Sequence, residues 1–295
     1  MKELVETLRR LHDDKPYEMG WYLKDLITEE TAENRGDVIV PSASTRKISI
    51  MMAVLRHVKE GRLALDQPIT IEAKYQDGGG IMQHADPGAT LTLRDAILLN
   101  IIVSDTACTG ILVDLVGLDT INTLCHAIGM KGTTHRHGIP ALAFPKGMAI
   151  DHPADATNAT TPRDLGILLE TILQGTRDRE AADRLGCTPF LCQLAMDIMG
   201  LQKLRTKLPY LLPHGTHVAH KTGTGARTVA DAGIVFDANK QPLFILTAIA
   251  DGVPREDVVD KIPGFSDAER LIARMSRTCY DHLTMRNGAR HESMG

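Results

Sequence analysis

The sequence predicts an α/β protein with a large all-α insertion: an antiparallel sheet formed by both ends of the chain, flanked by terminal helices, with a helical domain between them. Three observations predict it. Runs rich in β-branched and aromatic residues occur early in the chain and again in its last third. The stretch between them repeats its apolar residues at helical spacing. The chain also opens and closes on helical segments. Strands at the two ends and helices in the middle make one sheet only if the ends come together. The sheet domain is therefore expected over 1–44 and 213–295, and the helical domain over 45–212.

Taken in order, Leu4, Val5, Leu8 and Leu11 predict a first helix over 3–13. GWYLKDLI (20–27) and GDVIVPSAS (36–44) predict two strands around a polar turn. In 45–62, Ile50, Met51, Val54, Leu55 and Val58 share a helical face. QDGGGIMQHADPGATLT (76–92) reads as a glycine-rich loop turning at Asp86-Pro87-Gly88. Helices follow over 93–103, 107–117 and 118–129, the first stopping at Ser104-Asp105-Thr106 and the last at Gly129. Residues 130–161 lose the period and carry Pro140, Pro145, Pro153, His135, His137 and His152. A loop this long in a compact domain usually serves function. Helices resume over 161–175, with Thr161 as cap and Pro162 in the first turn, and over 188–200. HVAHKTGTG (217–225), VADAGIVFD (229–237) and PLFILTAIAD (242–251) predict three strands. SDAERLIARMSRTCYDHL (266–283) predicts the closing helix, capped by Ser266, and the polar tail from Thr284 is expected to fray.

A chain of 295 residues can bury a sizeable core, and 43% hydrophobic with 24% charged residues is ordinary for a globular protein. A net charge of −4 without a dense Lys/Arg block argues against a nucleic-acid surface. No stretch reaches a membrane-spanning length. The opening MKELVETLRRLHDDKPYEMG lacks the unbroken apolar core of a secretory signal, so a cytoplasmic setting is expected. Cys108, Cys125, Cys187, Cys192 and Cys279 are odd in number and include no Cys-x-x-Cys, which points to buried free thiols. His135-x-His137 makes no zinc site without a third ligand. Neither a metal nor a cofactor is expected.

Chemistry is concentrated in three short motifs. Ser44 and Lys47 stand three apart at a helix start, so an amine and a hydroxyl share one face where N–H groups favour a developing anion. A serine beside a base is what nucleophilic catalysis requires. Ser104-Asp105-Thr106 lies in a turn between helices, and Lys221-Thr222-Gly223 in a strand near the C-terminus. Each has an ordinary reading: Ser44 as a helix cap, Ser104 as a cap for the next helix, Lys221 as an edge lysine facing solvent. In conjunction, order and context they match the set of serine β-lactamases and penicillin-binding proteins.

On these motifs the chain resembles the class A serine β-lactamase family from about Trp21 to Leu283, with Pro41 before the serine, HADPGATLTLRDA before the second motif and NATTPRDLG (158–166) adding to the likeness. The resemblance implies a site in the cleft between the two domains. It implies that Ser44 attacks a carbonyl and becomes acylated, that Lys47 is or assists its base, and that Ser104 relays a proton to the leaving nitrogen with Lys221 against it. It implies an oxyanion hole from the N–H groups of Ser44 and Thr224. Thr106, Thr222, Gly223 and Thr224 would contact substrate. Asp105 reads as structural, and Arg227 as a candidate contact for an anionic substrate. Two positions depart from the family. Thr106 stands where it has asparagine, and between Met130 and Pro162 there is no glutamate to orient a deacylating water, the only acids being Asp151 and Asp155. A histidine among His135, His137 and His152 is a substitute base by its titration range. The leading expectation is an intracellular serine hydrolase acting on a small amide, lactam or ester. The alternatives are a β-lactamase with unusual deacylation and a penicillin sensor that acylates and stalls.

Overall fold

A computed structural model describes residues 1–76, 79–139, 153–254, 258–259 and 262–293. Pro140, Pro145, Asp151 and His152 lie outside the described residues.

Five strands make the main sheet: β1 (Glu18–Asp25), β2 (Thr31–Asn34), β7 (Val218–Thr224), β8 (Val229–Phe236) and β9 (Pro242–Asp251). Their order is β2-β1-β9-β8-β7, antiparallel throughout, so the N-terminal hairpin pairs with the last long strand. Helix α1 (Lys2–Arg10) and the closing helix α9 (Gly264–Ser293) lie on one face. There Leu4 and Leu8 meet Val235, Phe244, Leu246 and Leu271. On the other face Ala219, Ala230, Ala232, Ile245 and Ile249 join the core of the helical region. Covering both faces buries every residue of β8, which explains its unbroken apolar run.

The hairpin differs from expectation. Its second strand is Thr31–Asn34, not the stretch 36–44. Asp25 closes the intervening turn by accepting the N–H groups of Ile27 and Thr28. The apolar run after it leaves the sheet; Val40–Pro41 (β3) pairs instead with Ala159–Thr160 (β6). That short ladder ties the approach to Ser44 to the far end of the 130–161 loop.

Helix α2 (Lys47–Lys59) runs through the middle of the helical region. Every residue from Lys47 to Leu55 is buried, so it is not the one-faced helix its periodicity suggests but a helix covered all round. Around it stand α3 (Leu93–Ile102), α4 (Thr106–Val116), α5 (Leu118–Ala127), α6 (Pro162–Gly175), α7 (Arg179–Arg184) and α8 (Pro189–Gly200). Thr161 caps α6 by accepting the Asp164 N–H at 3.0 Å, with Pro162 in the first position, as expected. Six-residue α7 was too short to show a period. A small ladder, β4 (Pro68–Thr70) with β5 (Thr90–Thr92), closes the glycine-rich loop. The final helix does not end near 283; its backbone continues to Ser293. All five cysteines are buried and free.

Candidate active site

Ser44 lies in a tight 3-10 turn, Ala43–Arg46, that feeds directly into α2. Ala43 holds φ +43°, a left-handed backbone that costs a non-glycine residue energy. Upstream, Ser42 anchors the turn: its N–H donates to the Asn158 carbonyl at 2.9 Å and its carbonyl accepts the Thr45 hydroxyl at 2.6 Å. Ser44 itself is half-buried and caps no helix.

Lys47 is 3% exposed. Its Nζ lies 2.6 Å from the Ser104 carbonyl, 3.3 Å from the Asp105 carbonyl and 3.2 Å from Ser104 Oγ. Ser104 also sits in the left-handed region, at φ +58°, so both strained residues named here adjoin the reactive positions. Two carbonyls satisfy the two N–H bonds of a neutral amine, which leaves its lone pair for a hydroxyl proton. Burial, then the charge of Arg46, pushes the Lys47 pKa down to about 7. Near neutral pH a large share of this amine is therefore unprotonated, the form a general base needs.

The second motif has divided labour. Asp105, not Ser104, caps α4, accepting the Cys108 N–H at 2.9 Å. Its other oxygen accepts the Met82 N–H at 2.8 Å and so ties down the glycine-rich loop. Thr106 opens α4, half-buried, with its N–H on the Gly79 carbonyl.

Strand β7 brings in the third motif. Gly223 passes so close to the serine turn that a Cβ there would meet Ser44 N at 3.2 Å and Ala43 Cβ at 3.1 Å. Glycine is what lets strand and turn close up, with the Ser44 and Thr224 backbones on adjacent segments. Lys221 does not face solvent; it is fully buried. Its Nζ donates to the Thr222 carbonyl at 2.7 Å, so the amine on Ser104 belongs to Lys47 rather than to Lys221. Burial first, then Lys47, holds the Lys221 pKa well below the lysine range. Thr222 is buried, whereas Thr224 emerges at the strand end and is exposed. The hydroxyl open to a ligand is therefore that of Thr224.

Sequence reasoning missed Lys207. It is 3% exposed, with its Nζ 3.1 Å from Thr224 Oγ1, 3.3 Å from the Gly223 carbonyl and 3.4 Å from Glu269 Oε1. No local pattern marks it; only the fold carries 207 to 223. The charges of Lys47 and Lys207 both bear on Lys221, so the three amines cluster at this site. Arg227 instead donates to the Gly252 carbonyl at 3.0 Å.

The loop histidines go separate ways. His137 Nε2 lies 3.1 Å from the Ala156 carbonyl. His135 is buried with Nε2 3.1 Å from Ser49 Oγ, on α2, and its backbone is clamped on both sides by the Asn122 amide. Burial and the nearby Arg46 hold its pKa well below the usual histidine value. The folded state therefore refuses a proton that the unfolded chain accepts, and stability falls as pH drops below about 6.5, by up to about 1.4 kcal/mol per unit. Urea unfolding of wild type and His135→Gln at pH 7.5 and 5.5 checks this: the wild type should lose more stability on acidification than the variant.

The model of the beta-lactamase enzyme family matches residues 3–283, nearly the whole chain. The chain belongs to this family. It is a serine hydrolase of the β-lactamase superfamily with the class A fold. The beta-lactamase of Streptomyces lavendulae is 24% identical over 283 residues, 92% of this chain and 86% of that protein. Beta-lactamase VEB-1 of Pseudomonas aeruginosa is 24% identical, over 79% of this chain and 78% of its own. The beta-lactamase structure from Sphaerobacter thermophilus superposes with a TM-score of 0.79 at 22% identity, covering 96% and 98% of the two chains. PBP-A superposes at 0.80 with 25% identity and 97% of each chain covered. A PBP-A variant with leucine replaced by glutamate, solved as an acyl-enzyme complex with penicillin G, is equally similar.

Proposed function

We propose that this β-lactamase-family hydrolase acylates Ser44 with a small lactam, amide or ester that carries a carboxylate, and that it releases penicillins slowly. The observation that carries the reading is the Lys47 amine lodged against the Ser104 carbonyl and hydroxyl beside the serine turn. Lys47 takes the Ser44 proton as Oγ attacks the carbonyl. Ser104, hydrogen-bonded to the same amine, passes a proton to the leaving nitrogen as its bond to the acyl carbon breaks. The N–H groups of Ser44 and Thr224 receive the oxyanion. Thr224 and Lys207 supply a hydroxyl and a cation for the carboxylate. We also place the protein in a reducing compartment, which five buried free thiols support.

Slow release follows from the loop. Ile139 is 7% exposed and packs beside Gly110 of α4, directly after the Gly138 carbonyl that Arg46 holds. An apolar side chain there offers no base for water. Intact-protein mass after mixing with penicillin, a linear amide and an activated ester tests the proposal. A persistent adduct with penicillin and a transient one with the ester are expected; no adduct with any of them overturns it. Ile139→Glu should raise the steady-state penicillin rate at least tenfold, toward the ~10² of a gained general base. An unchanged rate after the burst would remove Ile139 from this role.

A further inference from the structure

A buried cation adjoins Lys47 on the serine turn itself. Arg46 is 4% exposed. Its Nη1 donates to the His137 carbonyl at 2.7 Å and its Nη2 to the Gly138 carbonyl at 2.9 Å. Its Nε is buried without a partner, and among the described residues no carboxylate pairs with it. Burial draws its pKa down to about 9, still above neutral pH, so the guanidinium stays charged. A positive charge balanced only by carbonyl dipoles is thus built in next to the amine that must act as base.

The groups facing Lys47 show what this charge opposes. On its own turn there is Arg46. From α4 come the Asp105 carboxylate and the Cys108 thiol, which favour a protonated Lys47. From β7 comes Lys221, itself held toward the neutral amine. From the loop comes His135, buried beside Arg46 and held neutral. Asp105 is the one anion among them, and both its oxygens are spent on the N–H groups of Cys108 and Met82. Arg46 weighs more on Lys47 than Asp105 does.

We propose that Arg46 is a positioning residue for acylation: a fixed, buried cation that disfavours a second positive charge beside it, while its two carbonyl bonds hold the 137–138 backbone against the serine turn. It neither gives nor takes a proton; the Ser44 proton goes to Lys47 and, through Ser104, to the leaving group. The proposal rests on the acyl-Ser44 reading, but its test does not need acylation. With lysines isotopically labelled at the side-chain amine, NMR follows the titration of Lys47, assigned by the signal lost in Lys47→Met.

In the wild type, Lys47 should titrate near 7. Arg46→Met, which keeps bulk and loses charge, should move the midpoint up by about one unit, equivalent to a tenfold change in the free-amine fraction. Arg46→Lys, which keeps the charge and loses the fork, should stay near the wild type. The rising limb of the rate of acylation by an activated ester should shift with the midpoint, so that Arg46→Met is about tenfold slower at pH 7 and recovers at higher pH. A wild-type Lys47 that titrates above 9 overturns the proposal without any variant. So does a loss of rate in Arg46→Met with the limb unmoved, which is a clamp alone. Normal titration with no acyl adduct counts instead against the Ser44 assignment.

Discussion

Ser44→Ala should abolish covalent labelling by penicillin and by activated esters, and lower ester turnover by about 10⁴-fold or more, the scale seen when a nucleophile is removed from a serine hydrolase. The fold should not register the change. Ser44 caps no helix, since the side chain at the start of the turn makes no capping bond and α2 begins only at Lys47. The loss of about 1 kcal/mol that a true N-cap would show is therefore absent, and stability should stay within about 0.5 kcal/mol of the wild type. Mass spectrometry and urea unfolding on one preparation check both halves. An acyl adduct on the Ser44→Ala protein would move the nucleophile elsewhere.

Lys47→Ala should slow acylation by about 10²–10⁴-fold, the contribution of a positioned general base. It also leaves the Ser104 and Asp105 carbonyls without their donor, at a cost of about 1–3 kcal/mol in stability. Lys47→Met fills the space but leaves the same carbonyls without a donor, so the loss of rate and the polar cost should be common to both variants, and the further loss of stability in Lys47→Ala is the cost of the cavity. In the wild type the acylation rate should rise with pH through about 7, where Lys47 loses its proton. The stability linkage has the same sign. The folded-state pKa is lowered, so the unfolded chain binds the extra proton between the depressed value and the ordinary lysine range, and this group adds stability as pH rises across that window. Acylation of Lys47→Met by an activated ester at the wild-type rate would exclude Lys47 as the base.

Much of the architecture was legible in residue order. The three long strands 218–224, 229–236 and 242–251 carry their own turns and their own β-branched residues, and they stand where the pattern puts them. Helices with a side-chain cap, such as α6 behind Thr161, were equally clear, because the cap is a local hydrogen bond. The strand partner of β1 was not. Thr31–Asn34 is polar and half-exposed, an edge strand held by its ladder and by side-chain bonds of Glu33 to Arg163 and Asn34 to the Met19 carbonyl, while the 36–44 run turns to the start of α6 and the loop end. The fraying expected of a polar tail failed likewise, since α9 continues past the sheet it packs on.

The three motifs, the family they point to, and the absence of a glutamate between Met130 and Pro162 are properties of the sequence by itself, because each depends on residues within a few positions of one another or on composition alone. What only the tertiary structure decided is which amine meets which hydroxyl. Lys47 reaches Ser104 and Lys221 turns to Thr222, although spacing allows either lysine to serve. Lys207 arrives at Thr224 from a separate segment, and Arg46 closes on the 137–138 carbonyls across the interior. The physical reason is common to all of them. A buried amine or guanidinium takes its protonation state from the cost of desolvation and from charges brought close in space, and neither exists until the chain has folded.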